Sequence, residues 1–148
     1  MSENIKENDL FFVCGLIEFI ARKTKNKKSY IVDKMGKDGI KKIYDLAEVY
    51  HCENIEKVTY EIVIEYKIVI GDYDIVEKCE GNIPSYFDIG RVYQRLILML
   101  SENEKEFIDK TIEVLSSWII EKIDNYNSSM YYENPSYIYA CYKEGKIL

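Results

Sequence analysis

Residues that form tight turns and versatile chemical sites are scarce in this sequence. The chain of 148 residues contains two prolines, seven glycines and a single histidine, His51. Because β-sandwiches and barrels need many Gly- and Pro-rich turns, this scarcity argues against both and favours a few long helices. The four cysteines form no C-x-x-C pair, which argues against a disulfide framework and a recognisable zinc site. We therefore predict reduced thiols and no metal.

Catalytic motifs are also missing. The sequence contains no Gly-rich phosphate-binding loop, no G-x-S-x-G and no H-E-x-x-H. His51 precedes Cys52, but neighbouring residues on a helix point about 100° apart, which argues against a thiolate–imidazole pair. The sequence thus predicts no catalytic residue and no cofactor, and an enzyme without a recognisable motif is kept as an alternative.

No apolar run is long enough to cross a bilayer. The run from Leu10 to Ala21 is interrupted by Glu18 and is shorter than the roughly 20 residues of a transmembrane helix. Residues 1–8 carry acids where a secretory signal carries basic residues. These features predict a cytoplasmic protein that does not bind membranes.

Helical spacing dominates the hydrophobic pattern. Apolar residues make up 47% of the chain and charged residues 31%, as in folded soluble domains, and Asp9, Ser85 and Asn134 precede helical patterns as N-caps do. We predict an all-α fold, a single compact bundle-like domain of about seven helices over residues 1–148, with residues 1–8 flexible. The predicted helices cover approximately residues 9–23, 29–35, 39–51, 54–67, 85–101, 102–125 and 135–145.

Residues 60–70 fit two patterns. Their apolar residues alternate as in a strand, whereas Ile55, Val58 and Ile62 have helical spacing. We favour a helix to about Lys67, followed by a short extended pairing near residues 68–83.

Positive charge is concentrated in residues 22–42, which we call the basic segment. It contains nine basic and two acidic residues, so it carries +7 and the rest of the chain, given the overall −6, carries −13. Such polarity attracts an anionic partner to one side of a molecule. The candidate binding residues on this face are Arg22, Lys23, Lys25, Lys27, Lys28, Lys37, Lys41 and Lys42.

The basic segment supports two interpretations. A solvated face that docks an acidic protein is the first. The second is a helix-turn-helix that binds DNA, with its turn at residues 36–38 and lysines on the second helix facing phosphates. That helix lacks Arg, Asn and Gln to read bases, and Asp45 and Glu48 on its outer side would repel phosphates.

Tyrosines concentrate near the C-terminal end, interleaved with Asn and Ser. Tyrosine offers a large amphipathic contact area at low entropic cost, so this composition is typical of contact surfaces. The alternative is that part of these rings closes the helical bundle. The candidate contact residues are Tyr126, Tyr131, Tyr132 and Tyr137.

Residues 9–26, DLFFVCGLIEFIARKTKN, and residues 50–55, YHCENI, resemble a small uncharacterised bacterial family. Members of that family occur in gene neighbourhoods of toxin–antitoxin type, beside proteins with an ADP-ribosyltransferase-like fold. The resemblance implies a partner role beside such a toxin and supplies no active-site residues. Our leading hypothesis is a non-enzymatic, antitoxin-like or regulatory module that binds a protein and can form a homodimer, and DNA binding is the alternative.

Overall fold

The computed structural model describes residues 4–148, and over that range every regular element is a helix. Two single 3-10 turns lie at Glu104–Glu106 and Met130–Tyr132. The all-α prediction is confirmed, with eight α-helices where about seven were predicted. None of the helices in this range is both long and apolar enough to cross a membrane. In chain order the helices are α1 (Ile5–Thr24), α2 (Lys28–Asp45), α3 (Ala47–Tyr50), α4 (Ile55–Glu65), α5 (Tyr86–Leu100), α6 (Phe107–Leu115), α7 (Ile119–Asp124) and α8 (Pro135–Glu144).

Helix α1 is the centre of the fold. It packs along α5 and also contacts α2, α3 and α4. Apolar residues occupy most of its circumference, and Leu10, Ile17 and Ile20 are completely buried. A helix that is apolar nearly all round has little solvent-facing side left for polar residues. Two of its acids, Asp9 and Glu18, accordingly lie inside the protein.

The backbones of α1 and α5 approach each other closely at two glycines. A Cβ atom on Gly90 would lie 2.8 Å from the Cα atom and the backbone nitrogen of Gly15, well inside normal contact distance. A Cβ atom on Gly15 would meet its nearest neighbour, Tyr86, at 3.9 Å, an ordinary contact. The helix pair therefore requires glycine at position 90 but tolerates a methyl group at position 15.

We expect Gly90→Ala to lower the free energy of unfolding by about 1–3 kcal/mol, because the added methyl group would force two packed backbones apart. Gly15→Ala is the matched control. It should be neutral or stabilise by up to about 1 kcal/mol, because alanine favours helix more than glycine does. Urea unfolding followed by circular dichroism measures both, and equal stability of the two variants would contradict this packing.

Helix α1 begins earlier than the sequence pattern indicated. Asn4, rather than Asp9, is the N-cap, and its side-chain oxygen accepts a hydrogen bond from the backbone N–H of Glu7 at 2.8 Å. Residues 5–8 form the first turn of α1, a regular element within the segment that the sequence predicts to be flexible. Residues 1–3 of that prediction lie outside the described residues.

Two predicted helices are interrupted, and one predicted break is confirmed. The predicted break at Gly36 is confirmed as a kink within α2, where Gly36 has φ 68° and ψ 175°, a conformation that suits glycine. The helix predicted over 39–51 is split at Leu46. The helix predicted over 102–125 begins later and is broken between α6 and α7, where the Ser117 hydroxyl donates to the carbonyl of Val114 at 2.6 Å.

The ambiguous segment is helical, as favoured, and α4 ends at Glu65. Beyond it, no strand forms between residues 66 and 85. The extended chain pairs instead with the end of α1, since the N–H groups of Gly71 and Tyr73 donate to the carbonyls of Thr24 and Lys25 at 2.8 and 2.9 Å. The short pairing predicted within 68–83 is thus absent from this part of the chain.

Candidate functional site

Most basic residues of the basic segment pair with acids from the rest of the chain. Each of the eight predicted binding residues makes at least one ion pair within 4 Å. Six of them are exposed, and such pairs are worth at most about 1 kcal/mol each. The exposed pairs are Lys23 with Glu56, Lys25 with Asp74, Lys27 with Glu121, Lys37 with Asp109, Lys41 with Asp45, and Lys42 with Glu65.

Two of the predicted basic residues do not belong to a surface. The side chain of Lys28 is 0% exposed, so the prediction that it contributes to a binding face is wrong. Arg22 is mostly covered and pairs with Glu18 at 2.7 Å. Both were assigned to the surface because the sequence shows their charge but not the buried acids of other helices that receive it.

A cavity of about 760 Å³ borders the basic segment beside α2. Lys25, Lys27 and Lys37 line it, together with Asp33 and Asp72. The charges around this cavity are therefore mixed, and each of the three lysines is engaged by an acid.

The predicted tyrosine surface is divided between the interior and the exterior. Tyr126 is buried, which corrects its assignment to a contact surface. Tyr131 packs edge-on against Tyr126, and Tyr137 donates its hydroxyl to the backbone carbonyl of Leu148 at 2.5 Å. Tyr132 is exposed. The alternative, that part of these rings closes the bundle, holds for Tyr126.

Ionisable side chains from four helices meet in the core as a buried ion network, defined here as Glu18, Arg22, Lys28, Tyr73, Tyr93, Asp124 and Tyr126. Lys28 Nζ donates to Glu18 Oε1 at 3.0 Å and to Asp124 Oδ1 at 2.5 Å. Arg22 and Tyr126 donate to Glu18 Oε2 at 2.7 and 2.6 Å. Tyr93 lies between the two carboxylates, 3.2 Å from Glu18 and 3.3 Å from Asp124. Tyr73 donates to Asp124 Oδ2 at 3.2 Å.

The network compensates its own charges. Two cations face two carboxylates, and every carboxylate oxygen has a donor. Burial by itself raises the pKa of Glu18, but Lys28, Arg22 and the Tyr126 hydrogen bond outweigh it and lower that pKa to about 2. Burial and the nearby Glu18 raise the pKa of Asp124 despite Lys28. This arrangement fixes α1, α2, α5 and α7 relative to one another.

A second feature, which we call the aromatic groove, lies between α1, α3 and the first turns of α4 and α5. Its cavity volume is about 580 Å³, within the usual range of binding pockets. Apart from tyrosines, the titratable residues that line it are Asp9, Glu48, His51 and Glu53. The aromatic residues that line it are Phe11, Phe12, Tyr50, Tyr86 and Phe87.

The aromatic wall of the groove is built by two helices. Ser85 caps α5 and accepts a hydrogen bond from the Asp88 N–H at 3.0 Å, which places Tyr86 and Phe87 in the first turn of that helix. These two rings stack with centroids 4.4 Å apart, and Phe87 also contacts Phe11 of α1 at 5.9 Å. Phe87 is 53% exposed, so the wall presents apolar surface to solvent.

The floor of the groove carries a carboxylate without a partner. Asp9 is 8% exposed, and it makes no hydrogen bond or ion pair with any residue in the described range. Burial raises its pKa; Lys6 and His51 act in the opposite direction, and Glu48 and Asp45 add to the rise. The groove therefore combines apolar walls with negative charge.

The side chains of His51 and Cys52 lie near each other, although neighbouring residues on a helix point in different directions. The distance between Cys52 Sγ and His51 Nε2 is 3.9 Å, and both residues are exposed at the C-terminal end of α3. Cys52 also donates to the carbonyl of Glu48 at 3.4 Å. Within residues 4–148, no three Cys, His, Asp or Glu side chains are grouped as metal ligands.

Sequence reasoning missed both the groove and the buried ion network. The spacing of Asn4 and Glu7 is typical of a capping box and could have placed the start of α1 correctly. With that start, Asp9 falls within the helix instead of capping it. Glu18 and Arg22 have the i,i+4 spacing that is typical of ion pairs on a helix surface, but here the pair lies inside the protein.

No protein-family model, curated protein or solved structure matches this chain.

Proposed function

We propose that this protein is a non-enzymatic interaction module that docks a positively charged, amphipathic segment of a partner protein in the aromatic groove. The observation that carries the proposal is the presence, in one groove, of exposed apolar side chains and a carboxylate, that of Asp9, which faces the groove without a partner in the described part of the chain. Helix-in-groove recognition uses this combination of apolar walls and complementary charge.

The apolar side of the proposal rests on the mouth of the groove. Ile5 and Phe87 line the cavity and are 63% and 53% exposed. Exposed apolar surface that adjoins a pocket is typical of an interaction site. Aromatic residues in such pockets commonly supply the dominant binding energy. A partner segment with apolar side chains on one face would cover these residues.

The charge of the partner follows from the lining of the groove. Asp9, Glu48 and Glu53 line it, whereas no lysine or arginine does so within the described range. Glu48, like Asp9, has no ion pair among the described residues, and Glu53 pairs with Lys57 at 3.5 Å. Unneutralised negative charge at an interface selects a cationic partner.

The resemblance to a family found beside ADP-ribosyltransferase-fold proteins supports a toxin encoded nearby as the partner. The module would then act as an antitoxin by covering a basic segment of that toxin. We expect the two proteins to copurify after co-expression and the toxin's growth inhibition to be relieved. Failure to copurify together with unrelieved toxicity would contradict the antitoxin role.

The protein-partner hypothesis fits the basic segment better than DNA binding does. Carboxylates beside a lysine offset its positive charge and repel DNA phosphates. Lys37, Lys41 and Lys42, which would face DNA, pair with Asp109, Asp45 and Glu65. The kink in α2 also involves a single non-helical residue, Gly36, whereas the turn of a helix-turn-helix has three to four residues.

A peptide library tests the groove while the partner is still unidentified. Random peptides of about 16 residues, roughly four helical turns, are displayed and selected on the full chain. We expect enriched peptides to be cationic and amphipathic. We also expect Phe87→Ser to weaken their binding at least about tenfold, which corresponds to about 1.4 kcal/mol. Tyr60→Ser is the matched control, because Tyr60 is an exposed aromatic residue outside the groove lining.

Several outcomes would overturn this proposal. One is an absence of enriched peptides, and another is enrichment of peptides that bind the Phe87→Ser variant as tightly as the original chain. A third is a dimer that Phe87→Ser dissociates, measured by sedimentation, because the groove would then be occupied by a second copy of this chain.

A further inference from the structure

We infer that Asp9 is the recognition residue for a lysine or arginine side chain of the docked segment, bound at the floor of the aromatic groove. This inference rests on the proposed function and names the group that the groove selects. The chemical class is a primary ammonium or guanidinium group on a partner polypeptide.

The first support is the contrast between Asp9 and the other buried acids. Glu18 and Asp124 are both satisfied by cations and hydroxyl groups on their oxygens. Asp9 is 8% exposed and has no such donor among residues 4–148. Its oxygens are not fully enclosed but open to the groove, where a carboxylate without a partner in the chain can accept a charge-assisted hydrogen bond. A cation brought by the partner would supply the missing pair.

The nearest charges of the chain do not supply it. Lys6, on the same helix, lies over the ring of Tyr44 with its nitrogen 5.3 Å from the ring centroid, and it makes no ion pair with Asp9. His51 lines the same groove but makes no hydrogen bond to Asp9. Glu48 and Asp45 add negative potential around Asp9. The subsite therefore attracts a cation from outside the chain.

The walls of the groove suit the rest of such a side chain. Lysine and arginine have apolar stems that pack on aromatic rings while the charged group reaches a carboxylate. Phe12 and Tyr50 line the same cavity as Asp9. A divalent metal ion fits less well, because no group of three acid, histidine or cysteine ligands exists in the described part of the chain.

A double-mutant cycle tests the contact. The probe is the tightest peptide from the library selection, together with analogues in which each lysine is replaced by norleucine or each arginine by citrulline. We expect Asp9→Asn to weaken the parent peptide about tenfold or more. One analogue should bind the original chain more weakly than the parent peptide does, by the same factor. Asp9→Asn should not weaken the binding of that analogue any further. Glu61→Gln is the control outside the groove, expected to stay within about threefold because Glu61 pairs with Lys57 at 3.8 Å and does not line the cavity.

A stability measurement separates recognition from a structural role. Because Asp9 has no partner among the described residues and lies near the like charges of Glu48 and Asp45, we expect Asp9→Asn to keep or raise the melting temperature of the free chain, by about 2–4 °C for each kcal/mol gained. A lower melting temperature would show that Asp9 stabilises the fold and would overturn the inference. The inference would also be overturned by peptides whose binding depends on Phe87 but is unchanged by Asp9→Asn. That result would leave the proposed function intact. Peptides insensitive to Phe87 would instead refute the proposed function itself.

Discussion

Replacing Lys28 with methionine is expected to lower the free energy of unfolding by about 3–5 kcal/mol, the range observed when one partner of a buried ion pair is removed. Lys28 Nζ is shared by Glu18 and Asp124 at 3.0 and 2.5 Å, and its side chain is 0% exposed. Methionine fills much of the same volume, so the loss would come from uncompensated charge and not from a large cavity. Arg22 would still pair with Glu18, but Asp124 would lose its cation.

The neighbouring lysine provides the control for this prediction. Lys27 is exposed and pairs with Glu121 at 3.0 Å, so Lys27→Met should change stability by at most about 1 kcal/mol. Urea unfolding at pH 7, followed by circular dichroism, measures both variants. Adding Asp124→Asn to Lys28→Met should recover part of the loss, because it removes the unpaired charge. Equal effects of Lys27→Met and Lys28→Met would contradict the buried ion network.

Local signals in the sequence predicted much of the helical architecture. Ser85 and Asn134 cap α5 and α8 as their positions indicated, and Gly145 ends α8 with φ 76°. Each of these signals acts over a few residues, so it can be recognised before the tertiary fold is known. The breaks at Leu46 and between α6 and α7 could not be predicted in this way. No proline or glycine stands there, and periodic apolar spacing continues across both positions.

The candidate site was harder to predict because its parts come from distant positions. Glu18 and Asp124 are separated by more than a hundred residues, yet both bind Lys28. A charged residue in a single sequence is normally assigned to the surface, since burial of an unpaired charge is unfavourable. The width of the apolar stripe on α1 was the available clue. A helix covered on nearly all sides covers acids as well, and the fully buried Glu18 is paired with Lys28 of another helix.

The groove was hard to predict for the same reason, because the residues that line it come from distant positions in the sequence. Phe87 was not singled out by any motif, and its position on the wall depends on the packing of α5 against α1. The assignment of Asp9 as a cap concealed its position in the groove. The groove is therefore a feature of the tertiary structure that no local pattern in the sequence indicates.

Acid is expected to destabilise this protein mainly through Glu18. The ordinary pKa of the glutamate side chain is 4.5, and the cations and hydroxyl group around Glu18 lower its pKa in the folded chain to about 2. Between these values the unfolded chain binds a proton that the folded chain does not, so unfolding becomes more favourable as the pH falls. The difference corresponds to about 3 kcal/mol of stability, present above about pH 5 and lost progressively towards pH 2.

The change to test is Glu18→Gln, which removes this titration. We expect its free energy of unfolding, although lower at pH 7, to fall less steeply than that of the original chain between pH 5 and pH 3. Asp124→Asn is the matched comparison. Because the pKa of Asp124 is raised in the folded chain, the folded state binds that proton first, and the titration of Asp124 opposes that of Glu18. The Asp124→Asn profile should therefore be at least as steep as the original. Urea unfolding at intervals of pH measures the slopes, and a Glu18→Gln slope equal to that of the original chain would show that Glu18 does not govern the acid response.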